Sequence, residues 1–173
     1  LGLVGSEMCI RDREHGDPAT LPEQDLVYVG GGSTANLLAI WRLHGVPQKL
    51  AAAAETGTIL AGISAGMNCW FEASSTGSFG APAPLRDGLG WLPGASCPHY
   101  RGEEHRRGTL HEWVGDGRLP DTWAVDDGAA IIWRDGEIVE VISEEPGAQA
   151  FHVTREQHRV RETPREARSL RDS

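Results

Sequence analysis

Cysteine is scarce in this chain: Cys9, Cys69 and Cys97 are the only three in 173 residues, an odd number with no Cys-x-x-Cys spacing. That pattern suggests neither a disulfide framework nor a four-ligand zinc site, and reduced thiols in the cytoplasm are the expectation. Long hydrophobic runs are missing too. None approaches the about 20 residues that a membrane-spanning helix needs, so no membrane partner is expected. Positive charge is in deficit, with 16 Lys+Arg against 25 Asp+Glu and a formal net charge of -9. The basic residues form no pure block, which argues against a phosphate-neutralising stripe and a nucleic-acid partner. There is no internal repeat. The length has room for one ordinary domain and not for two, and 39% hydrophobic residues suffice for one core.

The 22 Gly and 10 Pro gather at turn-like places without a period, which points to many short elements. Residues 1–13, LGLVGSEMCIRDR, begin on Leu and lack the basic, apolar and small-residue regions of a signal peptide. They resemble translated sequencing-adapter read-through and are expected to be non-native. Residues 14–162 are expected to form one α/β domain, and residues 163–173 a charged, loosely held tail.

Within that domain, residues 14–24 read as a loop. The run Asp25-Leu-Val-Tyr-Val-Gly then reads as a buried strand ending in Gly30-Gly31-Gly32. Leu37, Leu38, Ile40 and Trp41 recur at helical spacing from Thr34 to His44, with Ser33 or Thr34 as N-cap and Gly45 as the stop. A second helix runs from Pro47 to Glu55, with Gly57 at its end, and Thr58-Ile-Leu-Ala is a second buried strand. Residues 65–72 read as a helix and residues 73–88 as a surface loop. A helix follows Glu103 and ends near Gly115. Strand-like runs then start at Thr122, Ala129, Glu137 and Ala150, and Asp135-Gly136 is a hairpin signal. Alternating strands and helices predict a mostly parallel sheet with helices on both faces, followed by a β-rich C-terminal part.

Gly62-Ile-Ser64-Ala-Gly66 lies between a predicted strand and a predicted helix, where small neighbours permit a tight turn that lifts a hydroxyl clear of the backbone. Ser64 is the candidate nucleophile. A serine that merely caps the following helix fits the same letters. The glycine triplet ends a neighbouring strand, and its free amides, with that of Ala65, are candidates for an oxyanion hole. It lacks the Gly-x-Gly-x-x-Gly spacing and the Lys-Ser/Thr of nucleotide sites, so no nucleotide cofactor is expected. A serine hydroxyl needs a base. Of seven histidines His99 is the best placed, since Pro98 fixes the backbone that leads into it. His105 and His111 read as a solvated helix face, and the spacing of six between His99, His105 and His111 matches no zinc pattern.

Three ordered segments, YVGGGSTANLL, GISAGMNCWFEAS and GLGWLPGASCPHY, resemble the peptidase E family of serine peptidases (aspartyl dipeptidases, related to cyanophycinase). The resemblance runs from about Asp25 to about Glu162. It implies a sheet similar to that of class I glutamine amidotransferases, with Ser64 as nucleophile, His99 as general base, and the amides of Gly31, Gly32 and Ala65 as oxyanion donors. It further implies small peptides with an N-terminal aspartate as substrates, cleaved without metal or cofactor, with an acidic polymer such as cyanophycin as the alternative substrate. A decayed, non-catalytic relative is the reading from another class.

The chain departs from that pattern in two ways. Family members carry further strands ahead of the triple-glycine strand, so N-terminal strands are expected to be missing and the sheet incomplete. Gly77 and Arg101 stand where relatives often show aspartate, which leaves the acid of the triad open. Glu72 and Asp87 are its first candidates, with Glu103, Asp126 and Asp127 beside them. An N-terminal aspartate would need a cation, and Arg86 and Arg101 are the nearest in sequence.

Overall fold

A computed structural model describes residues 18–171 apart from residue 158; the expectation for residues 1–13 lies outside them. Pro18–Glu23 forms a 3-10 turn and leads into β1 (Leu26–Val29). Next come α1 (Thr34–Leu43), α2 (Val46–Glu55), β2 (Ile59–Gly62) and the single turn α3 (Ala65–Asn68). Ser33 caps α1 by accepting a hydrogen bond from the Asn36 amide at 3.3 Å, as its side-chain chemistry predicts. Gly57, at φ 101°, supplies the left-handed residue just past α2. β1 and β2 pair in parallel, Leu26 opposite Ile59 through Val29 opposite Gly62.

The rest of the chain is built on β3 (Phe71–Thr76), β4 (Ala83–Leu85), β5 (Leu92–Cys97), α4 (Arg106–Gly115), β6 (Thr122–Val125), β9 (Ala150–Glu156) and β10 (Arg159–Arg165). Its six strands are ordered β10-β9-β6-β5-β3-β4. The expectation of a mostly parallel sheet is corrected here. The joins β3 to β5 and β5 to β6 are parallel, whereas β4, β9 and β10 join antiparallel, so the sheet is mixed. β4 and β10 follow their neighbours through short links that only antiparallel returns close, whereas residues 126–149 between β6 and β9 are long enough for a crossover but hold strands in place of a helix. Between β6 and β9 lies the hairpin β7 (Ala129–Arg134) and β8 (Glu137–Ser143). It turns on Asp135 (φ 54°) and Gly136 (φ 78°), the two positive φ values of a type I′ turn.

Two other readings change. The helix expected over residues 65–72 is only α3, because Trp70 and Phe71 leave it to become core and the start of β3. The loop expected over residues 73–88 holds the end of β3 and β4. The tail is not loose throughout, since residues 163–165 pair within β10 and β11 (Arg168–Ser169) lies parallel to β8.

One face of the six-stranded sheet packs on α4. Leu110, Trp113 and Val114 meet Ala95, Cys97, Ala124, Phe151 and Val153, all buried. The opposite layer joins Val29, Leu38, Trp41 and Leu50 to Trp70, Phe71 and Trp123, with Trp133 and Ile138 of the hairpin packed against them. Tyr100 links the α4 face to β10: its hydroxyl and His111 both bond the Glu162 carboxylate, which Arg107 also holds at 2.9 and 3.0 Å. No helix among the described residues is long and apolar enough to cross a membrane.

Truncating Leu110, fully buried under the sheet, should cost about 2–5 kcal/mol in urea unfolding, whereas Leu43→Ala, at 76% exposure, should change it by about 0.5 kcal/mol or less. Glu162 carries a pH signature. Burial opposes its charged form, but hydrogen bonds from Arg107, Tyr100 and His111 outweigh burial and hold its carboxyl below the ordinary 4.5. A depressed carboxyl stabilises the fold above its unfolded value and loses that contribution as pH falls through the folded one. The gap in unfolding midpoint between the wild-type chain and Glu162→Gln should therefore narrow between about pH 6 and about pH 3.

Candidate active site

Ser64 stands between β2 and α3 at φ 55° and ψ -112°, a region that non-glycine residues rarely enter. Its neighbours explain why. A Cβ on Gly66 would lie 2.1 Å from the Val29 carbonyl oxygen, and one on Gly62 would lie 2.2 Å from the Gly66 carbonyl oxygen. The ends of β1 and β2 and the turn α3 thus touch backbone to backbone, and Ile63 N donates to Val29 O at 3.0 Å to lock the crossing. The chain reverses within one residue, and Ser64 takes the strained conformation.

Beside it, Gly31 approaches so closely that a Cβ there would meet Ser64 Cβ at 3.4 Å and Oγ at 3.9 Å. The amides of Gly31, Gly32 and Ala65 have no hydrogen-bond partner among the described residues, while the Gly66 amide is spent on Ile63 O at 2.9 Å. The helix expected to aim its N-terminus at this point is a four-residue turn, so individual amides carry whatever stabilisation the site offers.

Ser64, Gly32 and His99 line one cavity of about 190 Å³. His99 follows β5 and Pro98, is half-buried, and has φ 57°. Its Nδ1 lies 2.5 Å from Asp127 Oδ1. A carboxylate only accepts hydrogen bonds, so Nδ1 carries a proton, and in the neutral imidazole that leaves Nε2 as the acceptor. Asp127 comes from the turn after β6, the strand parallel to β5, and so leaves the sheet at the same end as His99.

The acids named first from the sequence are not at His99. Asp87 is exposed and pairs with Arg42 at 2.6 Å, and Glu72 accepts the Gly94 amide at 3.2 Å. Glu103 lines the cavity but is held by Arg106, and Asp126 is buried against Arg101. The two arginines proposed for a substrate carboxylate are likewise engaged elsewhere, Arg86 on the Gly117 carbonyl and Arg101 on Asp126. Sequence reasoning passed over Arg106, a buried guanidinium that lines the cavity. The doubled arginine at the start of α4 was its only signal.

Uncharged side chains form a buried network along part of the cavity lining, beside Arg106. Asn68 donates to Thr34 Oγ1 at 3.2 Å and to Ser75 O at 3.3 Å, and accepts from Ser96 Oγ at 2.7 Å. Thr76 Oγ1 extends the network to Thr34 and Ser78. Cys69 and Cys97 are fully buried, and burial pushes the Cys97 thiol up to about 11, so neither offers a thiolate. Among the described residues no cluster of His, Cys, Asp or Glu is arranged to hold a metal ion.

The sequence pattern of peptidase family S51 matches residues 10–141. An uncharacterized peptidase, YgaJ, from Bacillus subtilis (strain 168) is 41% identical over 142 residues, covering 82% of this chain and 61% of that protein. A 1.5 Å crystal structure of a candidate peptidase E protein from Listeria monocytogenes EGD-e aligns with a TM-score of 0.58. It covers 74% of this chain and 64% of its own and is 20% identical, a likeness of fold alone. The chain therefore spans about three-fifths of the length of the relatives it matches.

Replacing Gly66 by Ala should force the β1–β2–α3 crossing apart. About 3 kcal/mol of stability should be lost in urea unfolding, and the hydroxyl at 64 should stop reacting with a fluorophosphonate probe.

Proposed function

Because the chain belongs to peptidase family S51, a family of serine peptidases, we propose that it hydrolyses small peptides through Ser64, His99 and Asp127, with dipeptides bearing an N-terminal aspartate as substrates. The observation that carries the reading is the meeting of two constrained side chains at one cavity. A serine in a strained turn and a histidine already bonded to a carboxylate line the same walls. The fold expected for such an enzyme is one similar to class I glutamine amidotransferases, and the buried thiols suit the reducing cytoplasm.

The chemistry follows from that arrangement. Ser64 Oγ attacks the peptide carbonyl carbon as His99 Nε2 takes its proton, and Asp127 holds Nδ1–H and offsets the charge of the imidazolium. The carbonyl oxygen becomes an oxyanion beside Gly31, Gly32 and Ala65, whose free amides are donors of the type that stabilises it. The imidazolium then protonates the departing amine, leaving an acyl-serine. Water attacks that ester with the same histidine as base, and Ser64 is regenerated.

Size supports a small substrate. About 190 Å³ is below the usual range for drug-sized ligands and matches the end of a short peptide. Arg106 is the arginine of the lining, and like Arg86 and Arg101 it already has a partner, Glu103, so a substrate carboxylate would have to share it.

Ser64→Ala should abolish turnover of Asp-Xaa dipeptides in a chromatographic assay, and Asp127→Asn should lower kcat by about 10⁴ while leaving the fold intact by circular dichroism. Full activity in either variant overturns the assignment. Turnover of cyanophycin in place of dipeptides would redirect the substrate, and a chain that neither cleaves peptides nor takes up a fluorophosphonate at Ser64 would be a non-catalytic relative.

A further inference from the structure

We propose that Arg101 and Gly102 are positioning residues for the His99–Asp127 pair, Arg101 by anchoring the adjoining Asp126 and Gly102 by leaving room for the Asp127 carboxylate. The inference rests on the Ser64–His99–Asp127 reading above.

Asp127 cannot hold its own place. Its side chain is 61% exposed, and the bond to His99 is the only one it makes among the described residues. An exposed ion pair gains little over hydration, so the direction of that carboxylate depends on how firmly the backbone beneath it is held. The hold comes from one residue earlier. Asp126 is buried and accepts from Arg101 Nε at 3.0 and 2.9 Å, from Arg101 Nη2 at 2.5 Å and from the Gln149 amide at 2.9 Å. Arg101 Nη2 also donates to Gly147 O at 2.7 Å, and its guanidinium lies 4.9 Å from the centre of the Phe151 ring. The fork thus ties three segments together next to the pair.

The same two segments are tied through the backbone, because Tyr100 N donates to Val125 O at 3.0 Å. Residues 99–101 and 125–127 therefore run alongside each other with alternating links: Tyr100 to Val125, Arg101 to Asp126 and His99 to Asp127. A planar fork fixes both position and angle, which a lysine ammonium would not.

Gly102 completes the arrangement by what it lacks. A Cβ there would lie 2.1 Å from Asp127 Oδ2 and 3.3 Å from its Cγ. Its φ lies outside the left-handed region, so the backbone itself would tolerate alanine. The carboxylate would have to yield instead, and being exposed it would swing into solvent and away from His99 at little cost to stability.

The test combines steady-state kinetics with proton NMR of the low-field resonance expected for His99 Nδ1–H bonded to a carboxylate. The variants are Gly102→Ala, Arg101→Lys and Asp127→Ala, beside the unaltered chain. Gly102→Ala should lose the resonance and about 10²-fold in kcat, the scale of an ångström-size misplacement, with KM changed by about twofold or less and an unchanged urea midpoint. Arg101→Lys should weaken the resonance and lower kcat by less than Gly102→Ala. If Gly102→Ala keeps both kcat and the resonance, or if the unaltered chain shows no resonance, the proposal is overturned. Should the unaltered chain show the resonance and cleave no peptide, the peptidase reading fails, while loss of the signal in Gly102→Ala still supports the positioning role.

Discussion

Three backbones meet at van der Waals contact where β1, β2 and α3 converge, and the site is arranged around that crowding. With glycine at positions 62 and 66 the carbonyls of Val29 and Gly66 occupy space that a side chain would otherwise fill. The residue caught between them has no relaxed conformation left, and its φ of 55° costs about 1–3 kcal/mol. The surroundings over-determine it: Val29, Trp41, Cys69 and Trp70 are buried in the core behind the turn, and β1 and β2 are hydrogen-bonded along their length. Strain at Ser64 is thus sustained by packing that has no other role in the site. Gly31 lies against the serine because its strand is the one that Gly66 touches.

A mixed sheet suits this site better than its inventory of pairings implies. The parallel strands β5 and β6 deliver His99 and Asp127 from the same end, as neighbouring parallel strands must, while the antiparallel strands β9 and β10 brace β6 from its other side. Tyr100 reaches from the histidine segment into that brace at Glu162 of β10, and Arg101 reaches the Gly147 carbonyl in the turn that leads to β9. The residues after His99 are therefore anchored to β10 and to the turns beside β6 and β9, while the histidine itself lines the cavity.

Local signals were legible in the sequence wherever they were strong and close together. Ser33 as a cap, Gly57 past α2, the apolar stripe of α1, the strand before Gly30 and the Asp135-Gly136 hairpin all depend on contacts within a few residues. The segment after Ser64 failed because Cys69, Trp70 and Phe71 are apolar in a short run, and periodicity over so few residues does not separate helix from strand. Ser64 and His99 stood out through their flanking glycines and Pro98. The partner of His99 did not, since Asp126 and Asp127 are adjacent letters with opposite fates: one is buried on an arginine and the other is turned out to the imidazole. Only the register of β5 against β6 separates them. Arg106 was hidden for a related reason, because a cation at the start of a helix reads as surface until the packing of that helix is known.

The neutral network around Asn68 has an implication for how the cavity answers its surroundings. Amide and hydroxyl dipoles among Thr34, Asn68, Ser75, Thr76 and Ser96 neither titrate near neutrality nor attract a counterion cloud. The polarity of this part of the cleft therefore stays constant with acidity, and the charge beside it is the buried Arg106, which donates to Ser75 Oγ at 3.5 Å.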